Sequence, residues 1–318
     1  MRIGTASQND LMVQQLMRQQ VEVSDTQSKI ATGKKYNDVG GFGARSAHIV
    51  NSHSLMNQLD GFRTANTALQ GRLAAFDTGL RELENIGGEL RDAIQQARGI
   101  GNGTGLQSEV RGLLERAASV LNTRFEGRFL FGGTNTDSPP ALVTNEADIL
   151  ALAEPPAGDF FGDSGVVPRV RLDERATIDV GVTASGVAGD LLHSMQRILM
   201  FADGTVPAGA GAFAPAGDLE GQLSVNQTGF LENELAQVFS AIDTLQTAAT
   251  DNGLDMKAVE AVQARLGEQT VSLTEIIANE EDVDLAEVAS RLNQQQLTLE
   301  ASIRMIAEMR SISLLNVL

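Results

Sequence analysis

Residues 55–97 read LMNQLDGFRTANTALQGRLAAFDTGLRELENIGGELRDAIQQA, and this stretch decides the fold class. Every seventh residue from Leu55 to Ala97 is apolar, and most residues four positions later in each heptad are apolar too. A repeat of this length is typical of a coiled-coil-like helix. At a rise of about 1.5 Å per residue the helix would be roughly 65 Å long, which is too long for the inside of a globule and predicts a rod.

Proline-free arms extend outward from this stretch on both sides. All seven prolines lie between Pro139 and Pro215, and a proline inside a helix costs about 3 kcal/mol. Apolar residues at helical spacing in the arms predict further helices over 5–31, from Val110 to Phe125, from Leu231 to Ile276 with a turn at Asp251-Asn252-Gly253, and from Leu285 to the chain end.

The segments between these helices have other patterns. Alternating apolar residues predict a hairpin around Asp173-Glu174, and residues 190–202 predict one short helix. The remaining predictions are loops at 37–43 and 203–218, a helix stop at 99–105 and strand character at 127–133. The expected fold is mainly α: an elongated coiled-coil-like helical rod from both termini with a small β-containing inserted domain.

Charge and composition exclude several function classes. The net charge is −17, with residues 1–138 near neutral and residues 216–318 strongly acidic, so no basic stripe exists for nucleic acid. The two arms either attract one another or leave a solvated acidic face. The absence of cysteine removes thiol nucleophiles and disulfides. No apolar run approaches the length of a membrane span, and the first residues lack the apolar core of a signal peptide.

Candidate chemistry in the sequence is weak. The glycine-rich Gly101–Gly105 lacks the strand and lysine of a phosphate loop, so a turn is favoured. The acidic run Glu280–Asp284 lacks the spacing of a calcium loop, and acidic residues are expected where a helix begins. His193 has no marked catalytic partners. We therefore expect no enzyme activity and no catalytic, cofactor-binding or metal-binding residues. An enzyme or ligand-binding module in residues 139–215 stays a hypothesis without a motif.

Several motifs in both arms resemble the bacterial flagellin family. The segment Ala31-Thr32-Gly33-Lys34-Lys35 is similar to the signature that follows the first helix of that family, and residues 281–287 (EDVDLAE) are similar to its C-terminal acidic motif. Residues 294–297 (QQQL) and the ending SLLNVL at 313–318 are also similar. Met1-Arg2-Ile3 and residues 127–134 (GRFLFGGT) look most like members at the hook–filament junction. One difference is Val39-Gly40-Gly41, where the family often has Ser-Asp-Asp.

The resemblance implies an architecture and a function. It implies a terminal helical coiled-coil layer (1–43 and 280–318), a helical rod domain (44–138 and 219–279) and an inserted outer domain with β structure (139–218). The implied function is a structural subunit joining hook to filament, and the alternative is a flagellin of the bulk filament. Implied partners are the other hook-associated junction protein, flagellin, copies of itself in a ring or helical layer, and a type III export chaperone. The implied location is extracellular, in the flagellum, after export without signal cleavage.

The candidate site is an assembly interface at the two ends of the chain. An isolated terminal helix is stabilised mostly by packing, so these ends should order when neighbouring subunits cover their apolar stripes. The candidate interface residues are Val13, Leu16, Met17, Val21, Leu285, Leu292, Leu299, Ile303, Ile306, Met309, Leu314 and Leu315.

Overall fold

The computed structural model describes residues 2–152, 154, 160–214 and 216–315, and the side chains of all of these except 2–9 and 309–315. Within these ranges the chain is mainly α, with two small antiparallel sheets of two strands each. The helices are α1 (Arg2–Thr32), α2 (Ser46–Ile100), α3 (Leu106–Leu121), α4 (Glu146–Leu150), α5 (Ala184–Ala202), α6 (Val225–Glu281) and α7 (Leu285–Leu315).

The chain divides into two compact units. Unit 1 contains Met1–Asp60 and Gly267–Leu318, and unit 2 contains Gly61–Leu266. In unit 1, α1 packs against α7. Helix α1 ends at Thr32 because Gly33 takes a left-handed φ of +71° and donates its N–H to the Lys29 carbonyl at 2.9 Å. The predicted loop at 37–43 is partly wrong, since Val39–Arg45 forms a 3-10 segment capped by the side chain of Asp38.

The core of unit 2 covers the apolar stripe of α2. The heptad prediction is confirmed, because the side chains of this stripe from Leu69 onward are buried, namely Leu69, Leu73, Phe76, Leu80, Leu83, Leu90, Ile94 and Ala97. Helices α3, α5 and α6 contribute the residues that share this core. Two ring pairs join the elements: Phe76 meets Phe131 edge-on at 5.3 Å, and Phe201 stacks on Phe230 at 4.0 Å.

Two hairpins complete unit 2. Strands β1 (Arg124–Phe125) and β2 (Arg128–Phe129) form the first, so the prediction that Phe125 ends the preceding helix is wrong. Its two-residue turn, Glu126-Gly127, has positive φ at both positions, as the type I′ turn of a tight hairpin requires. Strands β3 (Arg169–Arg171) and β4 (Thr177–Asp179) form the second and confirm the predicted hairpin around Asp173-Glu174.

The central segment contains more helix than the sequence indicates. Helix α5 begins at Ala184, before the predicted start at residue 190, and α4 was not predicted. In the predicted exposed loop at 203–218, Ala210 is buried and Gly211–Phe213 forms a 3-10 turn.

The predicted turn at Asp251-Asn252-Gly253 is wrong, because α6 runs through it without a break. Asn252 is only 4% exposed, and its Nδ2 donates to the Leu73 carbonyl oxygen of α2 at 3.0 Å. Its Oδ1 is buried without a hydrogen-bond partner. The residue therefore acts as a buried polar contact between α6 and α2, and its turn propensity is overridden by that packing.

We expect Asn252→Asp to lower the free energy of unfolding of unit 2 by about 3 kcal/mol or more, because it buries an unpaired charge against a carbonyl oxygen. Asn252→Leu should be neutral or stabilising by up to about 1 kcal/mol, because it removes an unpartnered oxygen at similar volume. The control Asn85→Asp, at an exposed position of α2, should cost less than about 0.5 kcal/mol. Denaturant unfolding followed by circular dichroism measures all three, and equal losses for Asn252→Asp and Asn85→Asp would contradict this account.

Candidate assembly interface

The two sequence motifs of the arms lie side by side in unit 1. Lys34 and Asp282 form an antiparallel bridge. The backbone N–H of Lys35 donates to the Glu281 carbonyl at 2.7 Å, and that of Val283 donates to the Gly33 carbonyl at 3.0 Å. The segment after α1 is thus hydrogen bonded to the segment between α6 and α7, which brings residues about 250 positions apart into one strand-like contact.

Lys35 provides hydrogen-bond donors for free carbonyl groups at the C-terminal end of α6. The last four carbonyl groups of a helix lack partners within the helix, and the last turn of α6 contains no basic residue of its own. The Lys35 ammonium donates to the carbonyl oxygens of Asn279 and Glu280 at 2.7 and 2.9 Å. Its positive charge also opposes the negative end of the helix dipole.

The acidic run is split between two helix ends. The expectation that it begins a helix holds for Asp284, whose carboxylate accepts from the N–H groups of Ala286 and Glu287 at the start of α7. It is wrong for Glu280 and Glu281, which are the last two residues of α6. Carboxylates are unfavourable at that end of a helix, so their charges need compensation from elsewhere.

The compensation comes from a terminal ionic cluster, which we define as Lys34, His53, Glu281 and Asp282. Lys34 Nζ lies 2.7 Å from Asp282 and 3.0 Å from Glu281, and His53 Nε2 lies 2.5 Å from the other oxygen of Glu281. Glu281 is 8% exposed. The structure thus places basic residues of the near-neutral arm against carboxylates of the acidic arm.

These contacts raise the pKa of Lys34 and lower the pKa of Glu281. The hydrogen bonds from Lys34, first to Asp282 and then to Glu281, raise the pKa of the lysine above its usual 10.5. Burial acts to raise the pKa of the Glu281 carboxyl, but hydrogen bonds from His53 and Lys34 outweigh it and hold this pKa below 4.5. Both charged forms are therefore stabilised by the folded state.

The candidate interface residues fall into two sets within the α1–α7 pair. The half-buried set lies where the two helices pack and consists of Val13, Leu16, Leu292, Leu299 and Ile306. The exposed set faces away from the pair and consists of Met17, Val21, Leu285 and Ile303. The side chains of Met309, Leu314 and Leu315 lie outside the described residues.

Further exposed apolar side chains on the same helices were missed. Leu11 on α1, and Leu297 and Met305 on α7, are each more than half exposed. Leu11 and Met305 lie outside the apolar rows that predict the candidate interface. Leu297 enters the sequence analysis only as the last residue of the QQQL motif at 294–297. Heptad counting finds the row that binds the partner helix and gives little weight to apolar residues outside that row.

A largely buried group of titratable side chains in unit 2 forms an internal ion-pair network. Arg197 of α5 donates to the buried Glu234 of α6 at 2.9 Å, to Glu154, and to the Ala208 carbonyl at 2.7 Å. Burial raises the pKa of Glu234, and Arg197 opposes that shift. His193 Nε2 lies 3.4 Å from Glu154 without hydrogen-bond geometry. One guanidinium bridges two carboxylates here, and its removal would leave buried negative charge without compensation.

The described residues contain no group of three or more His, Cys, Asp or Glu side chains placed to hold a metal ion. They also contain no helix that is both long and apolar enough to cross a membrane.

Comparison with known proteins gives a structural relationship. No protein-family model and no curated protein matches the chain. A flagellar hook-associated protein of Vibrio parahaemolyticus has a similar structure, with 16% identity, a TM-score of 0.58, and coverage of 76% of this chain and 98% of that one. FlgL of Bacillus cereus is also similar, with 14% identity, a TM-score of 0.51, and coverage of 72% and 98%. The chain thus has the fold of flagellar hook-associated proteins.

We expect Glu281→Gln to destabilise unit 1 by about 1–3 kcal/mol at neutral pH, because it removes a charge paired with Lys34 and His53. The control Glu280→Gln should cost less than about 1 kcal/mol, since Glu280 pairs with the exposed Arg45. Hydrogen exchange of the Lys35 and Val283 amides measures the opening of this contact.

The difference between the parent and Glu281→Gln should depend on pH. A lowered carboxyl pKa gives stability that is present above pH 4.5 and lost as the pH falls through the folded value. A raised lysine pKa gives stability that is present below pH 10.5 and lost as the pH rises through the folded value. Equal exchange in the two glutamine variants, or a difference that persists at pH 2, would contradict the assignment.

Proposed function

We propose that this chain is a structural subunit of the bacterial flagellum that joins the hook to the filament, comparable to hook-associated protein 3. The observation that carries the proposal is the fold, which is similar to that of a flagellar hook-associated protein and of FlgL over more than 70% of this chain. The motifs at 31–35, 127–134 and 281–287 support the same conclusion.

The α1–α7 pair supplies the assembly surface of this proposal. Apolar side chains such as Val21 and Met17, which are 68% and 59% exposed, are costly to leave in water in a single subunit. Neighbouring subunits cover them in the assembled flagellum, and the conditional ordering of the ends keeps assembly dependent on a template. The partners proposed for this surface are the other hook-associated junction protein, flagellin and further copies of this chain in a ring or helical layer.

The remaining parts of the proposal concern organisation and location. Residues 1–43 with 280–318 form the terminal layer, residues 44–138 with 219–279 the rod domain, and residues 139–218 the outer domain. The protein is not an enzyme, is exported by the type III route with a chaperone, and acts outside the cell at the hook–filament boundary. Immuno-electron microscopy with an antibody to this chain tests the location, since a junction subunit labels that boundary alone.

The alternative is a flagellin that forms the bulk filament. Its terminal helices would assemble in the same way, but head-to-tail contacts between like subunits would continue into an open filament. Seeded polymerisation of the pure protein into long filaments, together with label along the whole filament, would favour this alternative and overturn the junction role.

Val21→Asp should block incorporation into the flagellum while leaving the free subunit intact. The side chain is exposed in the single chain, so the free energy of unfolding should change by less than about 0.5 kcal/mol. In the assembly the same change would bury a charge among apolar residues, which costs several kcal/mol. Gln20→Asp is the matched control, because it adds the same charge at the adjacent exposed position outside the apolar row. Motility and immunolabelling measure incorporation, and normal labelling with Val21→Asp would count against this surface.

A further inference from the structure

A cleft of about 420 Å³ in unit 2 is lined by arginine side chains and by one carboxylate, that of Glu126. Its walls come from α2, from the β1–β2 hairpin and from Val170 of β3. Arg72 and Arg128 line it, and Arg124 lies on the adjoining strand, opposite Phe129. Within the part of the chain that the structure describes, none of the three arginines forms an ion pair.

Aromatic rings hold two of these arginines in place. The guanidinium of Arg124 lies 4.3 Å from the centre of the Phe129 ring, and that of Arg72 lies 5.7 Å from the centre of the Phe76 ring. A ring contact covers the face of a guanidinium and leaves the N–H groups at its edge available. Burial lowers the pKa of Arg72, and the nearby charge of Arg128 lowers it further. The Glu126 carboxylate forms no ion pair with these arginines in the part of the chain that the structure describes, so the guanidinium groups outnumber the carboxylates at this cleft.

A second cluster in unit 2 has the opposite charge. Asp251 and Asp255 lie on one side of α6, near Asp179 of β4. Burial raises the pKa of Asp255, and the charges of Asp251 and Asp179 raise it further. Asp179 pairs with Arg169, whereas Asp251 and Asp255 form no ion pair with any residue that the structure describes.

The two clusters lie at the same level of unit 2 and adjoin different strands of the β3–β4 hairpin. The hydrogen bond from Asn252 to the Leu73 carbonyl sets the level, because Arg72 and Asp251 are the neighbours of these two residues in sequence. The β3–β4 hairpin separates the clusters, since β3 contributes Val170 to the basic cleft while β4 contributes Asp179 to the acidic cluster. Within the described residues, no ion pair joins the arginines of the cleft to Asp251 or Asp255.

We propose that the arginine cleft (Arg72, Arg124 and Arg128) of one subunit binds the acidic face of α6 (Asp251 and Asp255) of a second copy of this chain. This inference rests on the proposed function, in which copies lie side by side in a layer. Guanidinium groups bind carboxylates through paired, charge-assisted hydrogen bonds. Because the two patches are different surfaces of the subunit, one positive and one negative, their pairing is a heterologous contact, and such contacts close into rings or continue as helices.

Charge complementarity selects a second copy as the occupant. The cleft requires carboxylates at the level of Leu73, and every copy presents Asp251 and Asp255 at that level without partners of their own. Contact between copies would satisfy both clusters at once. An acidic segment of another protein or a free phosphate would satisfy the arginines alone, and would leave the aspartates of α6 unpaired.

Charge reversal in the full chain, as the only copy in the cell, tests the proposal. R124E/R128E and D251K/D255K should each reduce incorporation into the flagellum about tenfold or more, because each places like charges face to face. The variant with all four changes restores opposite charges in reversed order and should recover incorporation to within about threefold of the parent. Circular dichroism of each purified variant establishes that it folds. The control D77R/R81E reverses an ion pair within α2, outside both clusters, and should leave incorporation unchanged.

Cross-linking supplies a second measurement. Since the chain has no cysteine, Ala68→Cys in the cleft and Leu254→Cys beside the aspartates are unique reactive sites on exposed residues. A bifunctional maleimide added to flagella from cells expressing both single variants should give dimers that neither variant gives alone. No mixed dimer, or normal incorporation of both reversed variants, would overturn the proposal.

Two further results would also overturn it. The first is a folded fourfold variant whose incorporation into the flagellum does not recover. The second is a loss of incorporation in R124E/R128E but not in D251K/D255K, which would assign the cleft to another acidic partner or to phosphate. Failure of the junction role is a separate result: the antibody would label the parent protein away from the hook–filament boundary. Mixed dimers would still form in that case.

Discussion

A helix of 55 residues cannot bury its own apolar stripe, and the rest of unit 2 is arranged to cover that of α2. Each fully buried Leu or Phe contributes about 1.5–3 kcal/mol relative to an exposed one. The stripe from Leu69 to Ala97 is buried by α3, α5 and α6, and by the rings of Phe131 and Phe201. The polar residues in this core follow the same constraint, since Asn252 and Arg197 each connect α6 to another element through a buried hydrogen bond.

In the α1–α7 pair of unit 1, only part of the apolar surface of the helices is buried. Two helices can cover one apolar row on each other, and Leu16, Leu292 and Leu299 accordingly lie half-buried between them. Apolar residues of α1 and α7 outside that row, such as Val21 and Leu297, stay exposed in the described chain. Where α1 ends and α7 begins, the contact between the two arms is mainly polar. It consists of backbone hydrogen bonds of Gly33 and Lys35 and of the ion pair of the buried Glu281 carboxylate. A polar contact fixes the register of the two ends without supplying the apolar burial that a complete core provides.

The sequence predicts the features of this fold that depend on local periodicity. The heptads of α2 and α7, the left-handed end of α1 at Gly33 and the hairpin at 173–174 are all encoded within a few residues of where they occur. The failures have two different causes. Asn252 has the composition of a turn residue, but its partner, the carbonyl of Leu73, is 179 positions away, and a contact at that distance leaves no periodic trace in the sequence. Phe125 fits a helical row, but the Glu126-Gly127 turn pairs it with Arg128 three residues later.

The candidate interface was predictable to the same degree. Periodicity identified the apolar rows of α1 and α7, but it cannot distinguish Leu16, which meets the partner helix, from Met17, which faces water, because that depends on how the two helices are rotated. The basic cleft left no pattern at all, since Arg72 is separated by about 50 residues from Arg124 and Arg128, and only folding brings them together. The repulsion within each charged cluster is a cost that the isolated subunit bears. That cost is removed when the opposite cluster of a neighbour arrives, so charge segregation makes the free subunit less stable and the assembled layer more specific in its register.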